Sequence, residues 1–297
     1  MAQAPQKFGG PWSLIKVDTV AKYYSAFNTA LKNRGFKKIC IDAFAGSGDF
    51  QFKPRDASPL FYEAEVVETH AGSARRALAT DPPFDKLIFV ESGARNIAAL
   101  TKTALQFPKA DVDILRGDAN VEVKRVCKSI NWQTTRGVLF LDPFGHSVDW
   151  STISEIGKTK LDIWYLFPLS GVYRNVPVDR SDLTPDKREA VTRILGTSDW
   201  ETKFYEPPPR PRDLLSVLEE LKTPQLASGN KRTADVDAIE AFVKQRLESV
   251  FPLVLAPKRL LGPTNAPLYS LFFAMSNKSP QAQAVAMPIA RHLLSNI

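Results

Sequence analysis

The fold class of this chain follows from one stretch of sequence, KICIDAFAGSG at residues 38–48. Its first half is short, apolar and rich in β-branched residues, which predicts a buried strand. Its second half is a turn that contains Gly46 and Gly48, and glycine tolerates a positive φ and lets backbone amides approach a ligand closely. Taken alone, the turn is explained equally well as a purely structural one. The stretch therefore predicts a strand and a tight turn, with ligand binding as one of two interpretations.

The same alternation recurs four more times along the chain. The predicted strands are 38–44, 87–90, 112–115, 138–141 and 161–167, and the helices between them are 71–79, 94–106, 120–130 and 152–158. Short apolar strands that alternate with amphipathic helices are typical of a mostly parallel sheet covered on both faces. We therefore predict an α/β fold with a Rossmann-like sheet, in which ligands bind outside the carboxyl ends of the strands.

The rest of the chain is predicted to complete this one domain. Before the first strand, a turn at residues 8–12 leads to a helix capped by Ser13. Residues 171–265 are rich in Arg and Pro and read as an inserted substrate or partner region, with helices at 212–221 and 234–250. A strand at 268–275 and a helix at 280–294 return to core composition. The predicted parts of the single domain are 1–35 (turn and helix), 36–170 (cofactor-binding core), 171–265 (insertion) and 266–297 (final strand and helix).

Composition and charge exclude several classes of protein. The 39 Lys and Arg residues exceed the 32 Asp and Glu residues, and the net charge of +7 favours a polyanionic partner without requiring one. Cys40 and Cys127 lie far apart in apolar or amphipathic stretches, which excludes a disulfide framework and a thiolate metal site. No run approaches the roughly 20 apolar residues of a membrane helix, and residues 1–10 lack the apolar core of a signal peptide. We expect a cytoplasmic protein with no metal and no membrane contact.

Acidic residues at the predicted strand ends suit an adenosine ligand. Asp42 ends the first strand, and Glu91 ends the second, where a carboxylate can accept both hydrogen bonds of a ribose diol. Asp118, within GDAN at residues 117–120, offers a carboxylate to an exocyclic amine and is followed by a backbone amide for a ring nitrogen. Each carboxylate alone is explained equally well as a helix N-cap. The glycine turn lacks the Gly-Lys-Ser or Gly-Lys-Thr of a P-loop, so a nucleoside triphosphate is disfavoured.

The fourth strand end, LDPFG at residues 141–145, suits an amino group as acceptor. Asp142 and the carbonyl of Pro143 can hold an NH2 group by its two protons, and Phe144 offers a face to a planar base. Pro143 has no N–H, so the backbone presents only its acceptor there. In isolation the stretch is better explained as an ordinary turn, because Asp-Pro is common in turns.

Taken in order, these motifs resemble those of class I S-adenosylmethionine-dependent methyltransferases. DPFG at 142–145 is similar to the Asp-Pro-Pro-Tyr motif of amino methyltransferases, and closer to the Asp-Pro-Phe-Gly of tRNA dimethylguanosine methyltransferases, which act on an exocyclic guanine nitrogen. FGGPW at 8–12 with Lys16, DAFAGSG at 42–48, GDAN at 117–120 and WYLFP at 164–168 together resemble the bacterial and phage three-Cys-motif partner family.

The resemblance implies a methyltransferase-like fold with S-adenosylmethionine as cofactor, and a separate partner protein that bears a cysteine triad and an iron–sulfur cluster. The residues that it assigns to the cofactor are Asp42, Ala43, Phe44, Gly46, Gly48, Glu91, Asp118 and Ala119. The residues that it assigns to the acceptor are Asp142, Pro143, Phe144 and Gly145. The spacing from Gly48 to Glu91 exceeds the usual one, so an extra loop is expected at 49–71 and the ribose ligand stays open between Glu91 and another residue.

Two hypotheses about function remain. The first is an S-adenosylmethionine-dependent N-methyltransferase that acts on an exocyclic base amine in RNA or DNA. The second is a non-catalytic partner of methyltransferase fold that works in complex with a three-Cys-motif iron–sulfur protein. The sequence does not decide the oligomeric state.

Two further features have open interpretations. His146 either takes a proton or binds phosphate near the proposed site, or it is a surface histidine, which is the more frequent case. In the insertion, basic and aromatic residues form either a groove for a nucleic-acid strand or a solvated face. They are Tyr173, Arg174, Arg180, Trp200 and Tyr205.

Overall fold

A mostly parallel sheet forms the centre of the structure, a computed structural model that describes residues 11–52, 68–205, 231–262 and 264–297. Its strand order is β5-β4-β1-β6-β7-β10-β8, and β9 pairs with β10. The strands are β1 (Lys37–Asp42), β2 (Asp49–Phe52), β3 (Glu68–Ala71), β4 (Lys86–Glu91), β5 (Val112–Arg116), β6 (Thr135–Leu141), β7 (Leu161–Phe167), β8 (Leu253–Val254), β9 (Lys258–Leu261) and β10 (Pro267–Met275). The predicted α/β fold is confirmed, and each predicted strand is present with ends shifted by a few residues.

Helices cover both faces of this sheet. They are α1 (Pro11–Ala30), α2 (Ser73–Leu78), α3 (Ala94–Ala104), α4 (Ala119–Ser129), α5 (Trp150–Ile156), α6 (Leu169–Asn175), α7 (Pro185–Leu195), α8 (Asp199–Tyr205), α9 (Val236–Glu248) and α10 (Pro280–Ser295). Apolar side chains of α1, α2, α3 and α10 form one buried cluster with the sheet, and those of α4 to α9 form another. Burial on both faces explains why the strands are apolar throughout rather than alternating. Within the described residues no helix has the length and apolar character to cross a membrane.

The first helix begins earlier than the sequence pattern indicates. Pro11 and Trp12 are already helical, so Ser13 lies inside α1 and does not cap it. Proline is well accommodated in the first turn of a helix, because the N–H that it lacks has no partner there. The part of the predicted turn before Pro11 lies outside the described residues.

The sheet has a switch point between β1 and β6. The chain runs from β1 to β4 and β5 on one side, and then returns to β6 on the other side of β1. These four strands and β7 run parallel, so Asp42 and Leu141 end neighbouring strands at the same edge. We call this the carboxyl edge, and the opposite one the amino edge. Ligands of open α/β sheets bind at the carboxyl edge beside such a switch point.

Several elements differ from the sequence-based expectation. The loop expected at 49–71 is a two-stranded antiparallel ribbon where it is described, since Asp49–Phe52 pairs with Glu68–Ala71. Strand β10 is antiparallel and lies between β7 and β8. In the insertion, α7, α8 and α9 pack on the sheet through the same buried cluster as α4. The helix predicted at 212–221 lies outside the described residues.

Candidate cofactor and acceptor site

The glycine turn (residues 43–48) is held between the two neighbours of β1. The backbone N–H of Ala43 donates to Phe140 O at 3.1 Å on the β6 side, and that of Ala45 donates to Val90 O at 3.1 Å on the β4 side. The methyl group of Ala43 is buried in the core, and Phe44 is half-buried. The turn is therefore fixed by the sheet before any ligand is considered.

Glycine is required in this turn by its backbone conformation. Gly46 has φ 60° and Gly48 has φ 87°, values that side chains make costly. The carbonyl of Gly48 accepts a hydrogen bond from Gly72 N at 2.9 Å, and a Cβ at Gly72 would stand 2.7 Å from that oxygen. The beginning of α2 thus approaches the turn as closely as two backbones can.

Asp42 is a buried acid at the switch point. Its side chain is fully buried, and its Oδ1 accepts from Phe44 N at 3.2 Å. Burial raises the pKa of the Asp42 carboxyl from 3.8 to about 7, although the Ser73 side chain and the Phe44 amide act in the opposite direction. Within the described residues its Oδ2 has no hydrogen-bond partner. A buried, unpaired carboxylate oxygen is costly unless the group is protonated or a donor reaches it.

Glu91 and Asp118 lie at adjoining strand ends and are both held by the backbone. Glu91 is half-buried, and its Oε1 accepts from Gly93 N at 2.7 Å. Asp118 is exposed and caps α4, since its Oδ1 accepts from Asn120 N at 2.9 Å and from Val121 N at 3.2 Å. The N-cap interpretation of Asp118 is thus correct, and each carboxylate still has a second oxygen without a hydrogen bond in the described parts of the chain. Ala119, the first residue of α4, is half-buried.

The residues after β6 combine a held carboxylate with an exposed ring. Asp142 is 21% exposed and Pro143 is buried, whereas Phe144 is 61% exposed. Gly145 has φ 59°, and a Cβ placed on it would meet nothing within 4 Å. Phe144 is therefore largely exposed to solvent next to Asp142 in the chain.

Lys16 of α1 pairs with Asp142 across the switch point. Its Nζ lies 2.5 Å from Asp142 Oδ2, and its side chain is only 14% exposed. The two residues are 126 positions apart, so nothing in the local pattern around either residue predicts the contact. The pair shows that Asp142 can receive an N–H donor, and that one of its oxygens is engaged by Lys16.

Asn120 is a positioning residue to which the sequence pattern assigned no role. Its Nδ2 donates to Ser147 O at 2.8 Å, and its Oδ1 accepts from Asp149 N at 2.8 Å and from Thr152 Oγ1 at 2.9 Å. It therefore fixes the acceptor loop (residues 142–149) to the beginning of α4. In the sequence, the one indication of a role for Asn120 is its position directly after Asp118-Ala119.

His146 is a half-buried anchor of the acceptor loop rather than a surface residue. Its Nδ1 lies 3.2 Å from Asn175 Nδ2, and Arg193 donates to its carbonyl at 3.0 Å. Burial lowers the pKa of His146, and the charges of Arg193 and Arg174 lower it further. The interpretation as a surface histidine is therefore wrong.

Most of the candidate groove in the insertion is structural. Trp200 and Tyr205, proposed as stacking residues, are buried in the core. Arg180 pairs with Glu201 at 2.8 Å, and the guanidinium of Arg232 stacks over Tyr173 at 3.7 Å from the ring centre. These aromatic rings cannot stack on bases, so the predicted groove is corrected to a packed unit.

One basic residue of that set remains on the surface near the acceptor loop. Arg174 lies in the last turn of α6, is exposed, and acts electrostatically on His146. The acceptor loop therefore carries an exposed aromatic ring at Phe144 and has a cation near its His146. Among the described residues no group of three or more His, Cys, Asp or Glu side chains could hold a metal ion.

Comparison with solved structures agrees with the fold. The chain is similar to a Legionella pneumophila protein of the DUF519 family, with a TM-score of 0.51 and 10% identity over 96% of this chain and 92% of that one. It is also similar to the spermidine synthase of Thermotoga maritima, with a TM-score of 0.42 and 12% identity over 91% of this chain and 62% of that one. The N-terminal domain of EvdMO1, with SAH bound, gives a TM-score of 0.38 and 12% identity over 86% and 79%.

The first of these similarities shows the fold. At 10% identity, the likeness to the DUF519 protein shows a shared fold, and the two weaker likenesses support no argument of their own. No protein-family model matches the sequence, and no curated protein matches it.

Proposed function

We propose that this chain is an S-adenosylmethionine-dependent N-methyltransferase that acts on an exocyclic amino group of a nucleic-acid base. The observation that carries the proposal is the order of groups along the carboxyl edge. Asp118, Glu91, the glycine turn and Asp142 follow β5, β4, β1 and β6, which are neighbours in that order. A ligand laid across these strands meets groups suited to adenine, to ribose and to an acceptor amine in succession.

The residues present fit the adenosine part of this cofactor. In the described residues the second carboxylate oxygens of Glu91 and Asp118 have no hydrogen bond, and they can accept from the ribose diol and the adenine amino group. Because Gly46 and Gly48 have no side chains, a ligand can approach the backbone of the glycine turn closely. When bound, S-adenosylmethionine supplies the methyl group.

Asp142 and Pro143 would orient the acceptor. The carboxylate and the backbone carbonyl can each accept a hydrogen bond from one N–H of an NH2 group, which orients the nitrogen lone pair. Phe144 provides an exposed stacking surface for the base, and stacking of this kind is tolerant of base identity. Since Lys16 engages Oδ2 of Asp142, the acceptor amine must either displace the ammonium or use Oδ1. Alignment and electrostatics, rather than a strong base, then account for the acceleration.

The test is methyl transfer from labelled S-adenosylmethionine to bulk RNA and to bulk DNA, followed by digestion to nucleosides and mass spectrometry. The proposal expects label on an exocyclic nitrogen of a purine or of cytosine. Label on a ribose hydroxyl or a ring carbon would contradict the assignment of Asp142. Glu189→Ala, at an exposed position, is the control for Asp142→Ala, because it also removes one acid.

A second candidate function rests on the Lys16–Asp142 pair. An ammonium already in contact with the acceptor carboxylate, together with Phe-Gly in place of Pro-Tyr after Asp142-Pro143, favours a chain that keeps the fold for binding. On the resemblance to the three-Cys-motif partner family, its partner would be an iron–sulfur protein with a cysteine triad. Co-purification with such a protein, with no methyl transfer to RNA or DNA by the complex, would favour this candidate over the first.

A further inference from the structure

A cleft of about 320 Å³ opens at the amino edge of the sheet, away from the candidate site. Asp162, near the beginning of β7, and Met275, at the end of antiparallel β10, both line it. Helices α1 and α10 form its sides with Tyr23, Phe27 and Val285 among others. Its volume is within the range of small-molecule sites. Asp142 stands at the opposite edge, so this cleft is not part of the candidate site.

The body of the cleft is apolar and partly aromatic. Phe27, Phe36, Met275 and Ile289 line it, and so does Val285, whose side chain is 46% exposed. A flat apolar ligand would cover these side chains and remove their surface from water. The walls therefore favour an aromatic or aliphatic body.

The charges around this apolar body are mainly positive. Arg34, Arg136 and Lys160 line the cleft, against one acid, Asp162. Asp162 is 4% exposed and accepts from Tyr23 Oη at 2.7 Å, so it is already partnered inside the protein. The excess of positive charge around the cleft therefore favours an anionic ligand.

Contacts within the protein hold Arg136 in place, and the N-terminus of a helix adds to the positive charge of the cleft. The guanidinium of Arg136 lies 3.9 Å from the ring centre of Phe36 and donates to Trp132 O at 2.8 Å and to Thr135 O at 2.7 Å. Helix α10 begins at the same cleft, with Ser279 as N-cap and Gln281 in its first turn, and both line the cleft. The beginning of a helix of this length adds partial positive charge to that of the side chains.

We infer that this amino-edge cleft binds a small organic anion that has an apolar, preferably aromatic, body and one acidic group. The body would lie against Phe27, Phe36 and Val285, and the acidic group would face Lys160 and Arg34. The inference does not depend on the proposed methyl transfer, because it uses none of the residues at the carboxyl edge.

The experiment compares three probes that share one body and differ in charge: 2-naphthoate, naphthalene-2-carboxamide and 2-naphthylmethylammonium. Calorimetric titration of the full chain should give saturable binding of 2-naphthoate, about tenfold tighter than the carboxamide, with the ammonium weakest. Equal binding of all three, or no saturable binding of naphthoate at millimolar concentration, would overturn the inference.

Variants then locate the binding. Val285→Trp places a large ring in the cleft from a half-exposed position and should abolish naphthoate binding. Lys160→Gln should weaken naphthoate by about threefold to fivefold, the usual scale of a partly solvated charge pair, and leave the carboxamide unchanged. Lys102→Gln, an exposed lysine on α3, is the matched control and should change nothing.

A second readout guards against a variant that fails to fold. The thermal unfolding midpoint of each variant is measured first, and Arg34→Gln, at an exposed position after α1, replaces any variant that unfolds. Unchanged naphthoate affinity in folded Val285→Trp, or equal losses in Lys160→Gln and Lys102→Gln, would show that the anion binds elsewhere.

Discussion

At the carboxyl edge of the central sheet the strand ends present acids, whereas the cleft at the amino edge presents cations around an apolar body. The acids of the carboxyl edge are Asp42, Glu91, Asp118 and Asp142, and the cations of the amino-edge cleft are Arg34, Arg136 and Lys160. The two edges of one sheet therefore suit different ligands, and the length of the strands keeps the two regions apart. The carboxyl edge suits a ligand rich in N–H and O–H donors, and the amino edge suits an anion.

Each edge also buries one acid, and the two acids differ in their partners. Asp42 Oδ2 has no hydrogen-bond partner among the described residues, whereas Asp162 Oδ2 receives the hydroxyl of Tyr23. Burial raises the pKa of both carboxyls to about 7. The unsatisfied acid is thus beside the candidate cofactor site, and the satisfied one supports packing. A buried oxygen of this kind calls for a donor, such as a ligand or a water molecule, or for a proton on the carboxyl group.

The largest expected effect is on methyl transfer in Asp142→Ala. Loss of the carboxylate removes the group that would orient the acceptor amine, so turnover should fall by about a hundredfold to a thousandfold. Affinity for S-adenosylhomocysteine should stay within about twofold, because the substituted residue faces the acceptor and not the adenosine. Single-turnover rates with labelled donor measure the first quantity, and calorimetry the second. Full turnover in this variant would refute the mechanism.

A second large effect is expected on the pH dependence of stability in Asp42→Asn. With a folded-state pKa of about 7 against 3.8 in the unfolded chain, wild type loses stability as pH rises from about 4 to about 7, since folding then holds a proton that the unfolded chain releases. The loss amounts to at most roughly 4 kcal/mol. Asn has no such titration and can still accept from Phe44 N.

The check is urea unfolding of both proteins at pH 4.5 and pH 8. The variant should gain stability relative to wild type at the higher pH and show little difference at the lower one. Asp162→Asn should behave likewise over the same pH range, because its raised pKa has the same main cause, burial. A constant difference between wild type and Asp42→Asn at both pH values would show that the acid is not held protonated by the fold.

A comparison of Gly48→Ala with Gly35→Ala tests whether the glycine turn contributes to cofactor binding. Both glycines have positive φ, 87° and 68°, so each substitution should cost about 1–2 kcal/mol of stability. A Cβ at Gly48 would also stand 3.2 Å from Thr103 Oγ1, whereas one at Gly35 would meet nothing within 4 Å. Only Gly48→Ala should weaken S-adenosylhomocysteine, by about tenfold. Equal affinities in the two variants would remove the glycine turn from the site.

The smallest expected effect is that of Tyr23→Phe at the amino edge. The variant loses the hydroxyl that donates to Asp162, which should cost about 1 kcal/mol of stability. It should also raise the pKa of Asp162, because that hydrogen bond lowers it. S-adenosylhomocysteine affinity should not change. A large loss of that affinity would show that the two edges are not independent.

The parallel half of the fold was predictable because its signal is local. Each strand is an apolar run of strand length that ends in an acid or a turn, so residues 38–44 and 161–167 are found from their own composition. The strand ends then share an edge by the geometry of parallel sheets. For the same reason, the sequence placed Glu91 and Asp118 side by side with the glycine turn, although contact of any of them with a cofactor stays a prediction.

The remaining features depend on contacts between distant parts of the chain. The insertion of antiparallel β10 between β7 and β8 is a matter of pairing, which composition does not encode. The Lys16–Asp142 contact joins residues 126 positions apart. The sequence suggested Trp200 as an exposed stacking residue, but it is buried because α8 packs under α9. Helix α8 has only seven residues, too few for a hydrophobic periodicity to reveal that packing.

The most direct test of the account is a calorimetric titration of S-adenosylhomocysteine into wild type, Glu91→Gln, Asp118→Asn and the control Glu189→Gln. Gln and Asn keep the oxygens that accept from Gly93 N and from Asn120 N, so the turn before α3 keeps its hydrogen bond and α4 stays capped. Wild type should bind near micromolar, about −8 kcal/mol, with losses of about tenfold or more in the first two variants and none in the control. No binding at millimolar ligand, or unchanged affinity in both variants, would contradict it.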